Sequence, residues 1–210
     1  MALYHQKDLP EGGRLAIWHV TENQEELQVM LREQIPDFSE IPPVHRKGRH
    51  AEWHAVRLLI ALMGYEPHIL YNELGKPHFV SKDAHISISH SGKFVSAILD
   101  RNKRVGIDIE ETGDRIHRVK DKFVGASEAS YLKGHMQTEI LYVIWGAKEC
   151  AFKIYGKGAV DFREHLIVQP FKFSTIGDTK VSMHKLDEKE EYNVNWEYFG
   201  NLMLVYAIEN

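Results

Sequence analysis

Much is scarce in this chain of 210 residues. It has one cysteine, Cys150, so no internal disulfide can form and a reducing compartment is expected. No run approaches the ~18–20 consecutive apolar residues that a membrane-spanning helix needs. The first residues, Met-Ala-Leu-Tyr-His-Gln-Lys-Asp, have no apolar stretch, which predicts no secretory signal and a cytoplasmic protein with no membrane association. There is no excess of positive charge: the net charge is −4, so no global basic field exists to attract nucleic acid. The 13 histidines are scattered, with no H-E-x-x-H and no paired Cys/His spacing, which gives zinc little support. What remains is 43% hydrophobic and 27% charged, the composition of a soluble globular protein.

The pattern is that of an α+β chain. Arg14 to Val20 reads as a strand, and Thr21 with Gln24 as a capping-box start of a first helix that turns Leu27, Met30 and Leu31 inward. Ile35 to Val44, with three prolines, is a connection. A second helix is expected over about 47–63, because Trp53, Val56, Leu59, Ile60 and Met63 recur at helical spacing. Its start is basic (His45, Arg46, Lys47, Arg49, His50), although a helix N-terminus favours anions, so either an anion binds there or the turn is merely solvated. A tight turn at Gly75 follows, with Lys76 at its edge. Ile86 to His90 alternates as a half-buried strand, with Ser87, Ser89 and Ser91 on one face and Ile86, Ile88 and His90 on the other. His90 taken alone reads most simply as a structural residue.

The polar turn around Asp100–Arg104 marks a boundary between an N-terminal lobe, 1–101, and a C-terminal lobe, 102–210. Two short helices are expected near 115–122 and 127–133, the second capped by Ser127, then a long helix over Thr138 to Tyr155. Strands follow at 166–169, 180–185, 192–198 and 202–208. The element order repeats between halves, predicting two pseudo-symmetric lobes, each a strand and helices followed by an antiparallel sheet, with the active site in the cleft between them.

Val105-Gly-Ile-Asp-Ile-Glu110 organises the second half. As a strand it turns Val105, Ile107 and Ile109 into a core and Gly106, Asp108 and Glu110 the other way. Carboxylates two residues apart on a strand stand about 6–7 Å apart, a spacing that one hard cation can bridge. Gly106 on the same face leaves room for a close approach. Taken alone, the pair reads most simply as a strand with a solvated acidic face. Glu149 and Lys153, four apart on the long helix, lie side by side, either as a surface ion pair or as a third carboxylate and a phosphate-binding lysine.

Val-Gly-Ile-Asp-Ile-Glu110 and Trp145-Gly-Ala-Lys-Glu-Cys-Ala-Phe-Lys153, with Gly75-Lys-Pro77 and Ile88-Ser-His-Ser-Gly92 upstream, resemble the motifs of the 4′-phosphopantetheinyl transferases, large single-chain two-lobed type. The resemblance runs from about Arg14 to the C-terminus. It implies a transferase of the holo-[acyl-carrier-protein] synthase type. Such an enzyme moves the phosphopantetheine arm of coenzyme A to a serine of an apo acyl, peptidyl or polyketide carrier protein and releases adenosine 3′,5′-bisphosphate. It implies Mg²⁺, with Mn²⁺ as an alternative, on Asp108, Glu110 and Glu149. Glu149 is the implied general base, and Lys153 contacts the pyrophosphate and assists the leaving group. Lys76, Ser89 and His90 match coenzyme A contacts, and Arg49, with Lys47 competing, is assigned to its 3′-phosphate. Lys148 is implied as a phosphate or structural contact, Trp145 as core, Phe123 and Glu128 as a segment of uncertain role, and Cys150 as an inert packing thiol. The carrier protein is expected on the second lobe and lobe junction, with Lys120, Lys122 and Phe123 contributing. A monomer suffices. A nucleotide-binding module without turnover and an interaction scaffold are the competing readings.

Overall fold

The computed structural model describes residues 3–39, 49–132 and 138–210. The basic residues 45–47 and the connection up to Val44 fall outside the described residues, apart from its first five positions. The chain divides into two compact units, Met1–Asn102 and Lys103–Asn210, and its strands are antiparallel throughout. The fold is α+β. Among the described residues no helix is long and apolar enough to cross a membrane.

The first unit is a four-stranded sheet of order β1-β2-β6-β5, formed by β1 (Leu3–Asp8), β2 (Arg14–His19), β5 (His85–Ser91) and β6 (Phe94–Asp100). Helices α1 (Gln24–Gln34) and α2 (His50–Leu62) pack Leu27, Leu31, Ala55, Leu58 and Leu59 against Ala16, Trp18, Val95, Ala97 and Leu99 of the sheet. β3 (Ile69–Tyr71) and β4 (Pro77–Phe79) make a separate two-stranded ribbon. Two local expectations are corrected. The first helix is capped by Asn23, whose Oδ1 accepts the Glu26 N–H while Glu26 returns a carboxylate to the Asn23 N–H. The capping box is thus two residues later than Thr21–Gln24, because asparagine is a stronger cap than threonine. The edge strand β1 escaped notice because its burial alternates only weakly, with both of its apolar residues, Leu3 and Tyr4, exposed.

The second unit is a five-stranded sheet of order β7-β11-β10-β9-β8. Its strands are β7 (Val105–Glu111), β8 (Leu166–Val168), β9 (Ile176–Lys185), β10 (Glu188–Tyr198) and β11 (Leu202–Glu209). Before β8 come α3 (Arg115–Val119), α4 (Ala126–Tyr131) and α5 (Thr138–Tyr155). The last has the bounds its periodicity predicts. It lies across β7 and β11 and buries Leu141, Ile144, Ala147, Cys150, Ala151 and Ile154 with Val194, Trp196, Met203 and Val205. The approach is close: a Cβ on Gly146 would stand 2.5 Å from Val205 Cγ2. α4 is capped by Gly125 and not by Ser127, since Glu128 at its third position folds back to accept the Gly125 N–H. The units share an arrangement: β2 and β7, the strands preceding the helices, each pair with the last strand of their unit, β6 or β11, which then pairs with the strand before it.

Candidate functional site

β7 is buried on both faces from Val105 to Ile109. Asp108 pairs across the ladder with Val205, the residue that meets Gly146 of α5, so Asp108 is on the side of β7 that α5 covers. Gly106 shares that side, and a Cβ there would stand 2.3 Å from the carbonyl oxygen of Cys150. The room anticipated at Gly106 is therefore filled by the backbone of α5. Absence of a side chain lets the helix lie low enough to bring Glu149 and Lys153 to the acidic strand. These residues all lie in the second unit. One strand and the helix packed on it supply the whole group.

The side chains are already engaged. Lys153 donates from Nζ to Ile107 O at 2.6 Å and to Asp108 Oδ1 at 3.2 Å, its side chain 24% and that of Asp108 8% exposed. It is directed at Asp108, not at Glu149, so the surface-pair reading of positions 149 and 153 does not hold. Burial by itself would lower the Lys153 ammonium, but the Asp108 carboxylate, with Glu149 behind it, outweighs burial and leaves it above its ordinary value. Glu149 forms no hydrogen bond or ion pair among the described residues. Burial, then repulsion from Asp108, push its carboxyl up to about 7, against a smaller opposing pull from Lys153. Glu110 is held by Arg115, whose terminal nitrogen lies 2.5 Å from Oε2. Among the described residues no three His, Cys, Asp or Glu side chains stand close enough together to hold a metal ion. The donor chemistry nevertheless suits a hard divalent cation: three carboxylates within electrostatic reach, one of them half-buried and making no hydrogen bond among the described residues.

Lys148, one residue before Glu149, faces the interior. Its ammonium and the Glu128 carboxylate are both fully buried, 2.8 Å apart. Nζ also donates to Phe123 O at 2.7 Å and Phe162 O at 2.8 Å, while Glu128 accepts the N–H groups of Gly125 and Val168 at 3.0 Å. Lys148 is thus a structural contact, and the role of the Phe123–Glu128 segment is to carry its counter-ion. Burial depresses the Lys148 ammonium, opposed by Glu128. Phe123 is fully buried against Trp145 and cannot contribute to a docking surface as expected, whereas Lys122 is exposed. Cys150 is fully buried, its thiol donating to Val205 O and pushed up by burial, as an inert packing thiol should be.

In the first unit, Arg49 and His90 line one open pocket with Glu52, Trp53, Arg57 and Tyr71. Glu52 lies 3.9 Å from both Arg49 Nε and His90 Nε2. Arg57 is buried, its guanidinium 3.4 Å above the Trp53 ring. Ser89 and its neighbours Ser87 and Ser91 are buried, so the serine face of β5 points inward while His90 stays accessible. Lys76 follows Gly75, which takes φ +77°, in a turn held by Asn72 Oδ1 accepting the Lys76 N–H. Lys76 and Ser89 do not line that pocket. Sequence reasoning missed Glu52, Arg57 and Arg115. The first two carried a signal in their i, i+3 and i, i+4 spacing to Arg49 and Trp53; Arg115 carried none, being placed by the loop after β7.

Comparison with known proteins agrees with the motifs. Residues 104–206 match the model of the 4′-phosphopantetheinyl transferase superfamily. A 4′-phosphopantetheinyl transferase of Bacillus subtilis is 36% identical over 90 residues, 41% of this chain and 40% of that relative. The 4′-phosphopantetheinyl transferase Sfp of Bacillus subtilis (strain 168) is 38% identical over 90 residues, with the same shares of 41% and 40%. The matched stretch thus spans about two fifths of the length of these relatives.

Proposed function

From the superfamily resemblance borne out over residues 104–206, we propose that this chain is a 4′-phosphopantetheinyl transferase that moves the phosphopantetheine arm of coenzyme A onto a serine of an apo carrier protein. The observation that carries the reading is Glu149. Its carboxyl stands beside Asp108 and Lys153 where the acidic strand meets α5, placed to take a proton from a nucleophile brought to that group.

A serine hydroxyl is a weak nucleophile, and Glu149 takes its proton as oxygen attacks the phosphorus next to the pantetheine arm. Asp108, Glu110 and Glu149 would hold Mg²⁺, or Mn²⁺ in its place, which neutralises pyrophosphate charge as it develops. Lys153, already protonated and steadied by Ile107 O, holds a phosphate oxygen of the leaving group. Arg49 and His90 bind the 3′-phosphate of coenzyme A, with Lys76 and Ser89 as further contacts; an arginine and an accessible histidine lining one pocket support that assignment. Adenosine 3′,5′-bisphosphate is the second product. The chain works in the cytoplasm, as a monomer, without nucleic acid or membrane, and with exposed Lys122 and half-buried Lys120 contributing to a basic edge for the carrier.

The test is incubation with coenzyme A, Mg²⁺ and several apo carrier proteins, followed by intact-mass spectrometry. One phosphopantetheine on the carrier serine, abolished by Asp108→Ala, is the expected result. Binding of coenzyme A with no mass gain on any carrier would refute transfer and leave a binding module.

A further inference from the structure

The acidic face has a resident cation for which the proposed reaction has no use. Arg115, the first residue of α3, donates from one terminal nitrogen to Glu110 Oε2 at 2.5 Å and to Glu111 O at 3.3 Å. Its Nε donates to the Tyr142 hydroxyl at 3.3 Å, and that hydroxyl donates to Gly113 O at 3.2 Å. Tyr142 is a residue of α5 with 1% exposure, so the anchor is rigid, while the Arg115 side chain is 55% exposed. Lys153 occupies Asp108 in the same way from the other end of the helix. Two monovalent cations thus sit on two of three neighbouring carboxylates. That is the charge a divalent ion would bring.

We propose that Arg115 is a tethered stand-in for the divalent cation: it holds Glu110 in the ion-free protein and gives that carboxylate up when the ion binds, staying anchored through Tyr142. Arg115 is then a positioning residue that sets ion affinity, and the inference rests on the reading of Asp108, Glu110 and Glu149 as the ion's ligands. An exposed ion pair is cheap to break, so the competition it offers is worth about two- to fivefold in ion affinity.

The probe is Mn²⁺, titrated against the full chain without coenzyme A and followed by electron paramagnetic resonance and calorimetry. Arg115→Gln should bind Mn²⁺ two- to fivefold more tightly than the wild type, Arg115→Lys should stay near wild type, and Tyr142→Phe, which keeps the charge and loosens the anchor, should fall between. In the wild type, the Arg115 Nε–H resonance should move saturably with Mg²⁺ along the same isotherm. Unchanged or weaker Mn²⁺ binding in Arg115→Gln, with its thermal melt intact, overturns the proposal while leaving carrier transfer by the wild type untouched. Mn²⁺ binding that Asp108→Ala and Glu149→Ala do not weaken, or no Mn²⁺ binding at all, overturns the ligand assignment and the proposal with it.

Discussion

Lys148→Met gives the sharpest test of how this chain holds its site. The lysine and Glu128 are both fully buried and 2.8 Å apart. Removing the cation strands a carboxylate in the interior, supported among the described residues by two N–H donors, from Gly125 and Val168. Breaking a buried pair by removing one partner costs about 3–5 kcal/mol. The two remaining hydrogen bonds put the expected loss at the lower end, about 3 kcal/mol. For a chain of this size that corresponds to roughly 6–12 °C in melting temperature. Trp145 packs edge-on against Phe123, whose carbonyl the lysine binds, so tryptophan fluorescence during urea unfolding reads the loss directly. Glu128→Gln should cost somewhat less, about 2–3 kcal/mol, because its amide can still accept one N–H and Lys148 keeps two carbonyl acceptors. The double variant should be more stable than Lys148→Met, since neither charge is then left alone. A loss under about 1 kcal/mol in Lys148→Met, accompanied by weakened coenzyme A binding, would refute the structural role and make the lysine a ligand contact.

Other outcomes follow from the same geometry. The Glu149 carboxyl is raised from 4.5 to about 7 on folding, so the folded state favours its proton. Stability contributed by this group is fully present below about pH 4.5 and is lost as pH rises through 7, by at most about 3 kcal/mol. Urea midpoints from pH 5 to 8 should fall less steeply in Glu149→Gln, and a wild-type slope no steeper than the variant's would be wrong for this argument. The same variant should lose at least ~100-fold in carrier transfer, the usual worth of a general base, while retaining the wild-type fold by circular dichroism. Gly106→Ala forces a Cβ against the Cys150 carbonyl at 2.3 Å and should cost about 1–3 kcal/mol while displacing Glu149 from Asp108; wild-type transfer in that variant would contradict the close approach. Cys150 should resist a thiol reagent in the native protein and react only on unfolding, because it is fully buried; rapid native labelling would say that α5 lifts from β7.

The sequence by itself determined the long helix and the chemistry of the acidic strand. Helical spacing gave α5 its bounds, alternation placed Asp108 and Glu110 on one side of β7, and the motif pair named a superfamily that residues 104–206 match. These are signals of period and residue type, which need only neighbours along the chain. Which cation sits on which carboxylate was decided by packing. Lys153 looked like the partner of Glu149 at i, i+4 but turns to Asp108, because Gly106 lets the helix descend onto β7. Lys148 and Lys153, five apart on one helix, go opposite ways: one into the core to meet Glu128, twenty positions earlier, the other to the acidic strand. Arg115 reaches Glu110 only because the turn after β7 brings it back over the strand's end. Coulomb energy depends on distances in space, and the distances that matter here join residues that no spacing rule connects.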